Sequence, residues 1–341
     1  MKFPKHASAM LLLFVAISSN ASENSPFDAY GKLHLSLEHL DNGQQSDRYV
    51  SNNSSRICFR GSLFADSSVK LIWQYETGIV ADSSSLNFTT RDTFIGVASN
   101  YGTLFVGRHD TPFERVSREV DLFDERLGDS RNIIGSSSAG FNLRVDDSIG
   151  YKTKLGQNFE VFLQYKTDRD GDDTDLTSGN ITWGSKDNLW LAVAYERHGK
   201  SLGGQLGDDE ESGMRFSGSY AKNLWRTTWI AESLSNVDGF SGADRTSFAL
   251  NSQFLSGKNV FKLGYAATDG TDGINEGEAQ MLSLGWDRAI EPGLLVYMVT
   301  SMTLNENGAG NSMSGAGHGQ QVMPRLGQDP WGVAVGVAYD F

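Results

Sequence analysis

The sequence has one cysteine and six prolines in 341 residues, and its charge leans acidic. Cys58 stands alone, which excludes an intrachain disulfide framework and a Cys-based zinc site. With 29 basic against 42 acidic residues, the net charge of −13 leaves no basic footprint for nucleic acid. Beyond the first twenty positions no apolar run reaches the roughly 18 residues of a transmembrane helix. The later histidines (His34, His39, His109, His198 and His318) form no HxH or HExxH cluster. Gly-rich stretches follow no phosphate-loop spacing, so no catalytic residue, metal or cofactor is expected. What remains is a soluble globular protein or a β-barrel, whose membrane signal is weak per segment.

The first residues read as an export signal. Lys2 and Lys5 form a positive n-region, and Met10-Leu-Leu-Leu-Phe-Val-Ala-Ile17 forms an apolar core too short to span a bilayer. Ser19 and Ala21 supply small residues at the −3 and −1 positions of a cleavage site. A signal peptide is expected over 1–21 and one mature domain over 22–341. Removing Lys2 and Lys5 leaves 27 basic against 42 acidic residues, a net charge of −15.

Along the mature chain the hydrophobic period is two. Leu33, Leu35 and Leu37 share one face of a strand, opposite Lys32, His34, Ser36 and Glu38. Phe159, Val161, Leu163 and Tyr165 alternate with Glu160, Gln164 and Lys166. Val333, Val335, Val337, Tyr339 and Phe341 alternate with small residues at the C-terminus. Short turn-like connections such as 156–158, 186–188 and 291–293 alternate with long polar ones at 168–178, 199–212, 235–244, 269–278 and 305–329. The spacing predicts about sixteen antiparallel strands with all long loops on one side.

A soluble sandwich would bury the apolar face, whereas a membrane barrel turns it to lipid and leaves the polar face lining a lumen. Charged residues and glycines recur on the polar faces, and aromatics sit near strand ends, as interfacial girdles require. Scarce proline fits a closed sheet with no edge strand to blunt. The fold class is therefore all-β, a transmembrane antiparallel barrel.

Four blocks carry a family likeness: Tyr30-Gly-Lys-Leu-His-Leu-Ser-Leu-Glu38, Ser55-Arg-Ile-Cys-Phe-Arg-Gly61, the pair Arg91-Asp-Thr-Phe-Ile-Gly-Val97 and Tyr101-Gly-Thr-Leu-Phe-Val-Gly-Arg-His-Asp-Thr-Pro112, and the terminal Phe341. Together with strand count and length they resemble the general diffusion porins of Gram-negative outer membranes. The resemblance implies a sixteen-stranded barrel, a homotrimer, and an inward-folded third loop. It implies passive diffusion of small hydrophilic solutes and ions, with basic residues on the wall facing acidic residues on the loop. Outer-membrane lipid, lipopolysaccharide and the barrel-assembly machinery are the implied partners, the last reading Tyr339 and Phe341.

On that resemblance the basic wall maps onto Lys32, Arg56, Arg91 and Arg144, with Arg60 on the same strand face as Arg56. The connection 110–140 would fold in, and its spacing favours Asp121 and Glu125 as the loop carboxylates, with Glu119 and Glu114 next. Each also reads as an ordinary solvated loop charge. Cys58 falls on the lumen parity, and Asp92 and Asp147 fall on the apolar one. There Asp92 would face a trimer neighbour and Asp147 would mark a strand kink. Arg115, Arg118, Arg126 and Arg131 among the loop acids temper any cation attraction. Two other functions stay open: a substrate-specific channel for a sugar or organic acid, and a surface adhesin-type barrel. The first predicts a ladder of lumen aromatics, for which Phe162 and Trp190 are candidates. The second predicts apolar-tipped loops and a plugged pore.

Overall fold

The computed structural model describes residues 26–341 except 67, 83–87, 137–139, 170, 274–276 and 316. The expected signal peptide lies outside the described residues. Among the described residues the strand segments are β1 (Asp28–Asp41), β2 (Ser46–Asn52), β3 (Arg56–Asp66), β4 (Val69–Ile79), β5 (Phe88–Ser99), β6 (Gly102–Asp110), β7 (Arg144–Leu155), β8 (Phe159–Lys166) and β9 (Leu176–Gly184). They continue as β10 (Leu189–His198), β11 (Glu211–Lys222), β12 (Trp225–Ser235), β13 (Arg245–Ser256), β14 (Asn259–Thr268), β15 (Ala279–Glu291), β16 (Leu294–Asn305) and β17 (Trp331–Asp340). Each pairs antiparallel with its neighbours, and β17 returns to β1 from Lys32↔Asp340 to Asp41↔Trp331. Phe341 exchanges both backbone hydrogen bonds with Gly31, at 2.9 and 3.0 Å, and seals the seam. The sheet is a closed barrel without an edge.

β2 and β3 both pair with β1 and are two halves of one wall strand, so the wall has sixteen positions. Between them β1 contributes Leu33 and His34 while its partner contributes Asn53, Ser54 and Ser55, with Ser54 at φ 56°. This extra residue is a β-bulge, and it switches the inward parity from Ser51 and Asn53 to Arg56 and Cys58. Two more bulges follow the same logic. Arg91 and Asp92 together oppose Glu76, and Asp146 and Asp147 together oppose Arg108, with Asp147 at φ 49°.

The period-two pattern sets the two faces. Leu37, Phe59, Leu163, Val193, Leu250, Leu284 and Val335 are exposed on the outside, while His34, Ser36, Glu38, Ser217, Ser219, Thr228 and Asn251 are buried on the inside. A soluble protein reverses this arrangement, and only a wall against lipid rewards it. Short turns join β3 to β4 and every second pair thereafter, and the long connections lie at the other rim. Tyr101, Phe159, Trp183, Tyr220, Trp225 and Tyr339 are exposed close to the short-turn rim, as an interfacial girdle is.

Candidate functional site

The connection between β6 and β7 starts as helix α1 (Pro112–Arg118). Thr111 caps it by accepting the Glu114 N–H at 3.2 Å, and Pro112 fits the first turn, where no amide donor is needed. The connection then crosses the inner wall from β9 to β16. Small inward residues make its seat. A Cβ on Gly213 would lie 3.0 Å from the rings of Phe113 and Phe141, and one on Gly264 would lie 2.7 Å from Phe123. Phe113, Val116, Val120, Ile133, Ile134 and Phe141 join Ala192, Ala194, Ala249 and Ala266 of the wall in one apolar cluster. Phe123 and Leu127 join Leu40, Tyr297 and Val299 in a second.

Buried polar groups hold the seat in place. The Arg215 guanidinium donates to Glu232 at 2.9 Å, Phe113 O at 2.9 Å, Ser117 Oγ at 3.0 Å and Asn142 Oδ1 at 3.1 Å. Its partner Glu232 accepts the Gly135 N–H at 2.6 Å. Thr228 donates to Val120 O at 2.6 Å and Lys262 to Leu122 O at 2.9 Å. Arg126 and Lys262 share Asp287, at 2.7 and 2.6 Å.

The opposite side of this connection meets charged wall. Glu125 takes Lys32 Nζ and Arg56 Nη1, each at 2.6 Å, and Arg118 at 3.4 Å. Burial alone would raise the Glu125 carboxyl, but Arg56, Lys32 and Arg118 outweigh it and hold it well below the usual carboxylate range. Arg91 pairs with Glu76 at 2.5 Å, and Arg144 with Asp92 and Asp110, both at 2.6 Å. Arg118 spans Asp110 at 2.9 Å and Asp124 at 3.3 Å. Lys32, Arg56 and Arg144 therefore lie in one set of ion pairs, linked through Glu125, Arg118 and Asp110, with Arg91 and Glu76 a separate pair, whereas Arg60 pairs with Asp28 at 2.9 Å nearer the short-turn rim.

The four loop acids part company. Glu125 reaches the basic wall. Asp121 folds back on its own connection, accepting Ser130 N at 2.8 Å, Ser130 Oγ at 2.5 Å and Phe123 N at 2.8 Å. Burial, with Asp129 beside it, pushes its carboxyl up to about 7. Glu114 is buried with Arg131 at 3.2 Å, and burial raises it to about 7 as well. Glu119 pairs with Lys186 and Arg115 on the short-turn side. Tyr339 and Phe341 lie by the barrel seam, their rings 5.9 Å apart.

Asp92 does not face outward toward a neighbouring barrel. The bulge it shares with Arg91 turns it inward to Arg144 and within 3.8 Å of His109. Glu76 joins the inward charges although no family block carries it, and its parity with Gln74 on β4 is the sequence signal for that face. The long polar connection expected at 305–329 runs from 306 to 330 and reaches inside the barrel. His318 Nε2 meets Glu38 Oε1 at 2.7 Å, and Gly128 N–H donates to Met313 O at 2.9 Å. Ser54 Oγ donates to Gly317 O at 2.8 Å. Its glycines allow this approach, since a Cβ on Gly319 would come within 2.3 Å of Asn52 O.

Two cavities flank the ion-pair set. One of about 400 Å³ opens toward the short-turn rim and is lined by Arg115, Glu119, Lys154, Glu160, Lys186 and Trp190, among others. The other, about 230 Å³, lies toward the long loops, where Arg91 and His318 are its ionisable lining groups. Among the described residues no group of three or more His, Cys, Asp or Glu side chains is arranged to hold a metal ion.

Comparison with known proteins finds relatives in sequence and, separately, neighbours in architecture. A family model described as Gram-negative porin matches residues 7–308. The major outer membrane protein P.IA of Neisseria meningitidis serogroup B is 26% identical over 268 residues, covering 76% of this chain and 59% of that protein. The major outer membrane protein P.IB of Neisseria sicca is 21% identical over 166 residues, covering 48% of this chain and 45% of that one. The chain thus spans less than two thirds of the length of the curated relatives it matches. Among solved structures, an anion-selective porin from Comamonas acidovorans superposes with a TM-score of 0.78 at 18% identity, covering 93% of this chain and 100% of that one. OmpT of Vibrio cholerae in its trimer form gives 0.73 at 16% identity, covering 93% and 100%. The chain belongs to the Gram-negative porin family, and its barrel is one of the outer membrane.

Proposed function

We propose that this barrel is a passive diffusion channel for small hydrophilic solutes and ions, narrowed where segment 111–143 meets the wall at Lys32, Arg56, Arg91 and Arg144. The observation that carries the reading is the pair of charge-lined cavities on either side of that meeting point, inside a wall that is apolar outside and polar within. On this reading Glu125 is the loop carboxylate facing the basic wall, and Glu119 lines the short-turn vestibule. Asp121 and Glu114 hold the loop's shape. A homotrimer in lipid and lipopolysaccharide, inserted by the assembly machinery through the β17 terminus, completes the proposal.

A hydrolytic role fits poorly. Ser314, His318 and Glu38 stand in sequence, but His318 Nδ1 is 2.7 Å from Gln320 O, where only an N–H is favourable. That ring nitrogen is then no base for Ser314, which sits 3.3 Å away and is buried. A dedicated sugar channel is also disfavoured. Phe162 packs against Phe105 and His109 beneath Lys152 and is 2% exposed, and Trp190 is 7% exposed in the apolar cluster, so neither presents a ring face along the lumen.

Planar-bilayer recording of the purified, folded barrel tests the proposal. Large ohmic steps that arrive or close in threes are expected. A folded, heat-modifiable barrel with no conductance would overturn it in favour of an adhesin or a plugged channel.

A further inference from the structure

We infer that the passage selects for anions, although the chain carries an excess of acid. The inference rests on the channel reading and names the solute class that the narrowing favours. Selectivity follows the charges within about 8 Å of the permeating ion, the screening length at physiological ionic strength. The summed charge of the molecule has little say at that range.

At the narrowing the two partners of an ion pair do not share the water equally. Lys32 and Arg56 keep 18% and 19% of their side chains exposed, while the Glu125 they share keeps 3%. Arg118 keeps 21% against 8% for Asp110. Arg91 is more exposed than Glu76, Arg131 more than Glu114 and Asp129, and Arg126 and Lys262 more than Asp287. A permeating ion therefore meets the positive end of each of these pairs, with the carboxylate behind it. The cause is geometric: the carboxylates are short and anchored in the seated loop or on the wall strands. The long cationic side chains reach past them to water.

The flanking cavities carry the same sign by a separate route. Toward the long loops, Arg91 is the lining charge, since His318 is already engaged by Glu38. Toward the short turns, Arg115, Lys154 and Lys186 outnumber Glu119 and Glu160. Two groups depart from the trend: Asp124, held by Arg118 and Arg131, is 23% exposed, and Glu119 keeps 32%, as much as its partner Lys186. Much of the acid excess lies elsewhere, on the outer loops, where Asp172, Asp208 and Glu210 are exposed.

The reversal potential under a potassium chloride gradient decides the matter, measured on the full-length barrel after a heat-modifiability check of folding. A chloride-to-potassium permeability ratio above one is expected. Lys32→Gln combined with Arg91→Gln should lower it, Asp124→Asn should raise it, and Asp172→Asn with Asp208→Asn should leave it unchanged. Arg91→Lys, which keeps the charge beside Glu76, guards against reading a folding defect as a selectivity change. A conducting wild type with a ratio below one overturns anion selection and leaves the diffusion channel standing. A ratio above one that ignores Lys32, Arg91 and Asp124 overturns the assignment to the narrowing. A folded barrel without conductance overturns the channel reading and the inference together.

Discussion

On β10 to β15 the inward positions include Ala192, Ala194, Gly213, Ser217, Ala249, Gly264, Ala266 and Ser283, whereas on β1 to β5 they include Lys32, Arg56, Glu76, Arg91 and Asp92. The wall is built the same way in both halves, as an antiparallel ladder with an apolar outside. Side-chain size decides what each half does. Small residues leave a groove that segment 111–143 fills with Phe113, Phe123, Ile133 and Phe141, displacing water from the lumen there. Long charged residues cannot be covered by apolar groups without a severe desolvation cost, so the other half stays wet. A connection that turns its apolar side to the first half leaves its other side, where Glu125 lies, toward the second. The asymmetry of the wall thus positions Glu125 against Lys32 and Arg56.

The comparison breaks most directly at Arg215, one of the charged residues set among the small ones in that half. It is fully buried, and Phe113 stacks on it with the guanidinium carbon 4.0 Å from the ring centre. Arg215→Met would leave Glu232 buried with the Gly135 N–H as a remaining hydrogen-bond donor, at a cost of about 3–5 kcal/mol to the seated loop. Open-channel noise and protease cleavage within 111–143 should both rise, and Glu232→Gln in the same chain should restore most of the loss. An Arg215→Met barrel as quiet and as resistant as wild type would show that apolar filling alone holds the loop.

A smaller effect sharpens the role of size. Phe123→Ala should loosen the loop by about 3 kcal/mol, the lower end for an emptied aromatic site. Gly264→Ala attacks the same contact from the wall, placing a methyl 2.7 Å from the Phe123 ring, for roughly 1–3 kcal/mol of overpacking. Phe123→Leu should relieve Gly264→Ala in a double-mutant cycle on thermal unfolding. Strict additivity of the two would mean that wall and ring do not touch.

The halves also differ in how far they can be read without a structure. Alternation of Leu33, Leu35 and Leu37 with Lys32, His34 and Ser36 announces both faces of β1, and the same rule carries around the wall. It fails at bulges, because one extra residue reverses every later assignment on that strand. Asp92 is placed on the wrong face for this reason, and the run from Asn142 to Ser148 cannot be followed through Asp146 and Asp147. The seat for the loop is visible only as scattered glycine and alanine, which any strand could carry. For the loop acids, similar charges at similar spacing diverge through tertiary partners: Glu125 finds three cations, and Asp121 finds backbone N–H groups and a serine. The 306–330 connection is polar and glycine-rich whether it faces solvent or lumen. Its partners, Glu38 and Asn53, lie more than 260 positions away along the chain.

The smallest effect turns on a proton shared between the two halves' meeting point and the loop itself. Asp121 is buried beside Asp129, and its carboxyl rises from an ordinary 3.8 to about 7. A raised acid binds its proton more tightly in the seated loop than in a released one, so its contribution is fully present at low pH. That contribution is lost as pH climbs toward 7. Glu114, also raised to about 7, acts in the same direction. Glu125 acts oppositely, because its depressed carboxyl supports seating at ordinary pH and gives way only well below the usual carboxylate range. Between pH 5 and pH 8 the first two dominate, and wild-type noise should grow as pH rises through about 7. Asp121→Asn keeps an acceptor for Ser130 and Phe123 but holds no titrating proton, so its dependence on pH should be shallower. Noise that is flat from pH 5 to 8 in the wild type would mean that Asp121 and Glu114 both stay ionised in the seated loop. The three donors around Asp121 would then outweigh both its burial and Asp129.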